Sequence, residues 1–210
     1  MVQTIQAKNV TLEELKTLFG LQLVQDEDFF REWQDDLPEI TDFQKQQLNQ
    51  IKAGYFNLLE HPPLLEKTIS LSIVSPLLFT GEFYLQPFYI KPEKSVEISE
   101  EDAGVIIKGS LDTLVLKDQL WLMVVESKRV SFSIEAGLAQ ILAYLLGNPN
   151  PEKPSYGMIA TGGSFMFVKL VNGETPRYSI SDLFGISNRT NNLQDVLRIL
   201  KRLTQLVINQ

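Results

Sequence analysis

The chain of 210 residues is long enough for one domain with its own hydrophobic core and too short for two large ones. It contains no cysteine, which excludes disulfide scaffolds, thiolate zinc sites, iron–sulfur clusters and cysteine nucleophiles. The net charge of −7 argues against non-specific binding of nucleic acid, because phosphate contacts require lysine and arginine. A local phosphate site remains compatible with this charge, because a metal cluster itself requires carboxylates.

Residues 1–60 are predicted to form a helical N-terminal extension. Thr11 and Glu14 have the spacing of a capping box, which predicts a helix that begins at residue 12. Thr41 or Asp42 can cap a longer helix that runs to about residue 60, because its apolar residues recur every three to four positions.

Residues 61–210 are predicted to form a single compact α/β unit that begins with a helix over 64–78. From Gly81 the apolar period changes, and alternation predicts a strand over 83–89. The following residues 91–103 are charged and contain proline, which indicates a loop.

Residues 104–129 predict a β-hairpin with its turn at 117–119. The second strand, 120–125, is an unbroken apolar run, which is typical of a strand covered on both faces. The remaining predicted elements are a helix at 134–146, strands at 156–161, 165–171 and 177–180, and a helix at 191–208. This order predicts a mixed central β-sheet flanked by helices.

No export signal or membrane span is predicted. The first ten residues lack a charged start followed by an apolar run. Residues 64–79 are apolar, but they include Glu66 and Lys67 and are too few to cross a bilayer. We therefore expect a cytoplasmic protein with no membrane partner.

The single histidine, His61, restricts the possible chemistry. A Ser-His-Asp triad would have to use this residue, and a multi-histidine metal site cannot be built within one chain. Any metal would be held mainly by oxygen ligands, which favours magnesium or manganese. His61 lies between a predicted helix end and two prolines, so a capping or surface role is the simpler interpretation.

Charged residues follow the most apolar strand. Glu126 and Lys128 lie two residues apart, so their side chains share one face of the strand. With a turn centred near residue 118, Asp112 lies opposite residue 124, and Glu126 is its diagonal neighbour at roughly 7–8 Å between backbones. The even spacing keeps all three on one face. We therefore predict that two carboxylates and an ammonium converge at one end of the sheet.

Such a group suits metal-dependent hydrolysis of a phosphodiester. Magnesium takes carboxylate ligands and usually keeps several waters. The bound ion lowers the pKa of a water and neutralises charge on a phosphoryl oxygen. A neighbouring lysine can hold the attacking water or stabilise the developing negative charge.

The same residues resemble the motif of the PD-(D/E)xK nuclease superfamily. Asp112 is followed fourteen residues later by Glu126-Ser127-Lys128, which corresponds to the E-x-K of the motif. Leu111 stands where the family name has proline, and many members lack that proline.

Two further segments resemble subgroups of that superfamily. Gln140 and Tyr144 on the next predicted helix resemble the Q-x-x-x-Y motif of the RecB-like branch. The helix that contains Glu66 looks like the N-terminal segment of type I restriction-subunit nuclease domains, where a helix glutamate adds to the metal site.

This resemblance covers about residues 64–171 and implies a restriction-endonuclease-like fold with a magnesium- or manganese-dependent deoxyribonuclease activity. The implied site residues are Asp112, Glu126, Lys128 and Gln140 for catalysis, Tyr144 for substrate positioning, and Asp112, Glu126 and Glu66 for the metal.

Two functions stay open at this point. The first is a DNA nuclease, either alone, as a homodimer or with a protein partner in a restriction or repair system. The second is a catalytically silent binding or assembly module with the same fold, which the acidic composition favours. Simpler roles also exist, because Glu126 and Lys128 could form a weak surface ion pair and Glu66 could be a surface residue of its helix.

Overall fold

A mixed β-sheet lies at the centre of the fold. The computed structural model describes residues 3–62, 64–100, 104–117, 120–127, 134–161, 163–188 and 192–209. The strands traced within these ranges are β1 (Gln3–Gln6), β2 (Gln22–Leu23), β3 (Tyr89–Glu100), β4 (Val105–Lys117), β5 (Leu120–Ser127), β6 (Ser155–Ala160), β7 (Ser164–Val171), β8 (Arg177–Ile180) and β9 (Phe184–Gly185). They join in the order β1-β4-β5-β6-β7-β8-β2, with β3 also paired to β4 and β9 to β7.

The α-helices of the described ranges pack on both faces of this sheet. They are α1 (Leu12–Phe19), α2 (Asp42–Leu59), α3 (Glu66–Ile69), α4 (Ser75–Thr80), α5 (Ile134–Leu146) and α6 (Asn192–Asn209). Shorter 3₁₀ segments occupy Ala7–Asn9 and Glu27–Trp33, and five π-helical residues, Ser70–Val74, join α3 to α4. The predicted α/β class, with a mixed sheet between helices, is confirmed.

Two hydrophobic cores lie on opposite faces of the sheet, as β7 illustrates. Phe165 and Phe167 belong to the core that α2, α4 and α6 cover, whereas Met166 and Val168 belong to the core that α1 and α5 cover. Because side chains alternate along a strand, a strand with both sets buried must be covered on both faces. None of the helices in the described ranges is long and apolar enough to cross a membrane.

Helix starts follow the capping signals in the sequence. Glu14 N donates to Thr11 Oγ1 at 3.1 Å, and Thr11 N donates to Glu14 Oε2 at 2.8 Å, so the predicted capping box of α1 is confirmed. Thr41 and Gln44 form a second capping box at the start of α2. Each box satisfies backbone N–H groups that the first helical turn leaves without an internal partner.

The predictions for residues 83–100 were wrong, and residues 101–103 of the predicted loop lie outside the described residues. Residues 81–87 form turns rather than a strand, and the predicted loop is instead strand β3 as far as Glu100. Within β3, buried Val96 and half-buried Ile98 alternate with polar neighbours. The segment therefore fits a strand with one solvent-exposed face, although it contains charged residues and Pro92. Strand β3 pairs with β4 over nearly its whole length, from Tyr89–Leu116 to Glu100–Val105.

The N-terminal residues contribute strands as well as helices. β1 pairs in parallel with β4, and β2 pairs in parallel with β8, whereas the sequence predicted helices alone here. Lys169 of β7 forms an ion pair with Glu32 and donates to the backbone oxygen of Phe29 at 2.7 Å. These contacts attach the 3₁₀ segment Glu27–Trp33 to the sheet, and the division of the chain at residue 60 stays a prediction.

Candidate metal-dependent active site

The register of the β4–β5 hairpin determines which side chains meet at its open end. The strands pair at Lys117–Leu120 and Leu116–Trp121, and then at Val115–Met123, so Leu122 is an extra residue on β5. The predicted register was wrong by two positions, because the turn adds one position and this bulge adds another. The predicted turn residues 118 and 119 lie outside the described residues.

The bulge brings Asp112 and Glu126 to the same face. Pairing beyond the bulge continues to Thr113 and Val125, so Asp112 and Glu126 are the next residues outward on the two strands. Without the extra residue, Asp112 would lie opposite Val125, and Glu126 would point to the other face of the sheet. Extended outward by one position, this register would place the two carboxylates directly rather than diagonally opposite each other.

Three carboxylates converge at this end of the sheet. One oxygen atom from each of Glu66, Asp112 and Glu126 lies within 4.8 Å of the other two. They come from three elements, since Glu66 begins α3, Asp112 belongs to β4 and Glu126 to β5. Glu126 is 1% exposed, Asp112 is half-buried and Glu66 is exposed, so the group runs from the interior to the surface. Lys128, the fourth predicted residue, lies outside the described residues.

Gln140 and Tyr144 of α5 form a hydrogen-bonded chain that ends on Glu126. Gln140 Nε2 donates to Glu126 Oε1 at 2.6 Å and to the Tyr144 hydroxyl at 2.9 Å. That hydroxyl donates to the backbone oxygen of Ser110 at 3.0 Å. The sequence predicted that Gln140 faces Lys128; among the described residues it faces Glu126, the other charged member of the E-x-K motif.

The Tyr144 hydroxyl stays protonated over the physiological range. Burial raises its pKa well above the ordinary value for tyrosine, and the negative charges of Glu126 and Asp112 raise it further. A protonated hydroxyl can donate to Ser110 while its oxygen accepts from Gln140, and so it fixes the side-chain amide of Gln140. Tyr144 thus supports Gln140 rather than ionising.

Gly109 of β4 has no side chain, and this leaves room for the ring of Tyr144. A Cβ atom at residue 109 would lie 2.8 Å from both Cε1 and the hydroxyl oxygen of Tyr144, and 2.7 Å from the Cβ of Ala7. Contacts this short are repulsive, so a larger residue would have to displace the ring or the strand. The ring therefore lies directly against the backbone of β4, one residue from its acceptor Ser110.

The carboxylate group fits a hard divalent cation. Oxygen ligands on one octahedral Mg²⁺ lie about 3 Å apart when adjacent and about 4.2 Å apart when opposite, as its bond lengths of about 2.1 Å require. A set within 4.8 Å therefore needs only small side-chain movements to coordinate one ion. Three carboxylates at this distance repel one another, and a cation would remove that repulsion. Glu66, Asp112 and Glu126 are the residues that would hold it.

We expect Gln140→Ala to reduce a metal-dependent activity of this site by about 10- to 100-fold, the usual range for a residue that orients a ligand without touching the metal. The truncation removes the donor that holds Glu126 Oε1. Initial rates with saturating metal measure the effect. Gln46→Ala, at an exposed glutamine of α2, is the matched control and should leave the rate unchanged. Equal rates for the two variants would show that Gln140 has no role in the site.

His61 takes a capping role at the end of α2. Its Nδ1–H donates to the backbone oxygen of Asn57 at 2.9 Å, and the ring is exposed. This bond satisfies one of the last carbonyl groups of the helix.

Sequence analysis missed the cleft beside the carboxylates. The cleft has a volume of about 470 Å³, and its lining includes Glu66 and Asp112 together with Tyr84, Tyr89 and Lys67. Tyr84 belongs to a segment that was predicted as a strand and forms turns, so no sequence pattern indicated that it shares a surface with Asp112.

The interpretation of this site therefore depends on its geometry and on the motif in the sequence. A buried glutamate, two further carboxylates and a glutamine–tyrosine pair come together from α3, β4, β5 and α5. This donor set suits oxygen-coordinated metal chemistry. Comparison of the chain with protein-family models and with curated proteins found no match in either set.

Proposed function

We propose that the chain is a magnesium-dependent nuclease that hydrolyses phosphodiester bonds of DNA, with the restriction-endonuclease-like fold that its motif implies. The observation that carries the proposal is the convergence of three carboxylate oxygens within 4.8 Å, with the buried one held by Gln140. A carboxylate at 1% exposure is costly to bury, and a metal-binding role accounts for its retention there.

Each residue of the site has a distinct role in the proposed hydrolysis. Asp112 and Glu126, with Glu66 at the surface, would hold the ion, which lowers the pKa of a water and neutralises phosphoryl charge. Gln140 orients the Glu126 carboxylate, and Tyr144 holds Gln140 in place. Lys128 would hold the attacking water or stabilise the developing negative charge.

The accessible part of the site accommodates a substrate. Glu66 and Asp112 line the open cleft, whereas Glu126 lies behind them at 1% exposure. A phosphodiester that enters the cleft would therefore meet the exposed side of the carboxylate group. A cytoplasmic location, where DNA and millimolar magnesium are both present, is part of the proposal.

A cleavage assay tests the proposal. Purified protein is incubated with plasmid, linear duplex and single-stranded DNA in Mg²⁺, Mn²⁺ or EDTA. We expect cleavage of at least one substrate with metal and none with EDTA. Asp112→Asn, purified in parallel, separates this activity from a contaminating nuclease. Failure of the wild type to cut any substrate in either metal would contradict the proposal.

A further inference from the structure

The cleft beside the carboxylate group presents aromatic surface. Tyr84 and Tyr89 both line it, and each is 45% exposed. The Tyr84 ring packs against Phe79, with ring centroids 6.2 Å apart, so it has support on one side. Tyr89 is the first residue of β3, where its backbone pairs with Leu116. Both tyrosines are therefore held in place by contacts with the rest of the fold, and their rings still present aromatic surface to solvent.

A second, more apolar cleft adjoins the first. Tyr84 and Ser75 line both, and the second cleft has a volume of about 570 Å³. Its lining also includes Leu71 and Phe79, which are 73% and 62% exposed, and the amide side chain of Gln50. Each volume falls in the range of about 300–1,000 Å³ that suits a small ligand. Because they share Tyr84 and Ser75, the two clefts adjoin, and together we call them the binding path.

The charge of this path disfavours a ligand held mainly through phosphates. Among the described residues that line the first cleft, Lys67 is positively charged. Glu66, Glu93 and Asp112 contribute negative charge. The described residues that line the second cleft are uncharged. A duplex presents its phosphates and keeps its bases stacked inside, whereas a single strand can place its bases on aromatic side chains.

From these observations we infer that the path binds a single-stranded segment of DNA, with a base stacked on Tyr84 and the neighbouring phosphate beside Glu66 and Asp112. The inference rests on the proposed function and specifies its substrate. Stacking on an aromatic ring tolerates any base, so binding by this path is independent of sequence. Because few phosphates are neutralised, the affinity depends weakly on salt, with a logarithmic slope of about −1 for one or two contacts on a single strand.

Fluorescence anisotropy tests the inference. The full chain that carries Glu126→Gln is titrated, in Mg²⁺, into a labelled 15-nucleotide oligothymidine and into a labelled 15-base-pair duplex. We expect the single strand to bind at least about tenfold more tightly than the duplex. Tyr84→Ala in the same background should weaken single-strand binding by about 5- to 150-fold, and Tyr84→Trp should retain it. Phe43→Ala, at an aromatic that is 67% exposed and lies outside both linings, is the matched control.

The outcomes of this experiment separate the inference from the proposed function. Duplex binding equal to or tighter than single-strand binding would overturn the inference, and so would a Tyr84→Ala variant that binds like its parent. If the wild type then cuts duplex DNA in Mg²⁺, the proposed function stands without the inference. Single-strand binding that requires Tyr84, together with a wild type that cuts nothing, would support the inferred binding path and contradict the nuclease.

Discussion

Glu126→Gln is expected to reduce metal-dependent cleavage by about 100- to 1,000-fold, the order of loss that follows removal of one group that stabilises transition-state charge. The substitution keeps the size of the side chain, and Gln140 Nε2 can still donate to the amide oxygen of the replacement. What it removes is the negative charge that lies deepest in the carboxylate group, at 1% exposure. Initial rates at saturating substrate, with Mg²⁺ in excess, measure the loss.

The control for this substitution is Glu60→Gln, which makes the same change at an exposed residue after α2. Its rate should equal that of the wild type. A Glu126→Gln variant that retains more than about a tenth of wild-type activity while keeping its fold would remove Glu126 from the catalytic set.

Mg²⁺ or Mn²⁺ is expected to raise the melting temperature of the wild type. An ion that binds the folded state alone, at a concentration 100 times its Kd, stabilises that state by about 2.7 kcal/mol. For a chain of this length that stabilisation corresponds to a shift of roughly 5–10 °C. Asp112→Asn and Glu126→Gln should reduce the shift, because each removes one of the three carboxylates that would share the ion. Differential scanning fluorimetry with and without metal measures it.

Lys128→Ala should behave differently from the carboxylate variants. It should keep most of the metal-induced shift and lose cleavage, because the proposed role of Lys128 lies in the transition state and not in the ground-state metal complex.

In the melting-temperature measurements, NaCl at matched ionic strength controls for a general salt effect. A shift without cleavage of any nucleic acid would favour a silent binding module, and the absence of both would leave no support for a nuclease.

The convergence of Asp112 and Glu126 was predicted from a register that was wrong by two positions, and an even error leaves both residues on one face. The apolar run before Glu126 identified a buried strand, and the spacing of two residues placed Glu126 and Lys128 on one face of it. The register itself could not be predicted. Leu122 belongs to the same apolar run as its neighbours, so nothing in the sequence marks it as the bulged residue.

The helix of residues 134–146 was predicted with its observed bounds, because its apolar stripe and the following glycine are both unambiguous. The stripe also placed Gln140 and Tyr144 at the margin of the buried face, where they meet Glu126 and β4. Their partner among the described residues differs from the predicted Lys128. A helical period determines which way a side chain faces, but it does not determine which residue of a neighbouring strand lies there.

The region 83–100 was the least predictable. Alternating apolar residues at 83–89 imitate a strand, whereas Phe83 and Phe88 in fact pack against each other within the turns, with ring centroids 5.4 Å apart. The charged residues of β3 imitate a loop, although several of them, such as Lys91 and Glu97, are exposed side chains of a strand that pairs with β4. Tertiary contacts determine the secondary structure of both segments, and a local sequence pattern does not reveal those contacts.

The π-helical residues Ser70–Val74 make the position of Glu66 depend on chain length. A π-helical turn accommodates one more residue than an α-helical turn, and this one precedes Pro76, which has no N–H to continue the regular pattern. Deletion of one residue here, with regular α-helix restored from Glu66 to Thr80, would rotate Glu66 by about 100° around the helix axis relative to α4. The third carboxylate would then leave the group with all three acidic residues still present in the sequence, so length variants of this segment can gain or lose a member of the carboxylate group without any substitution.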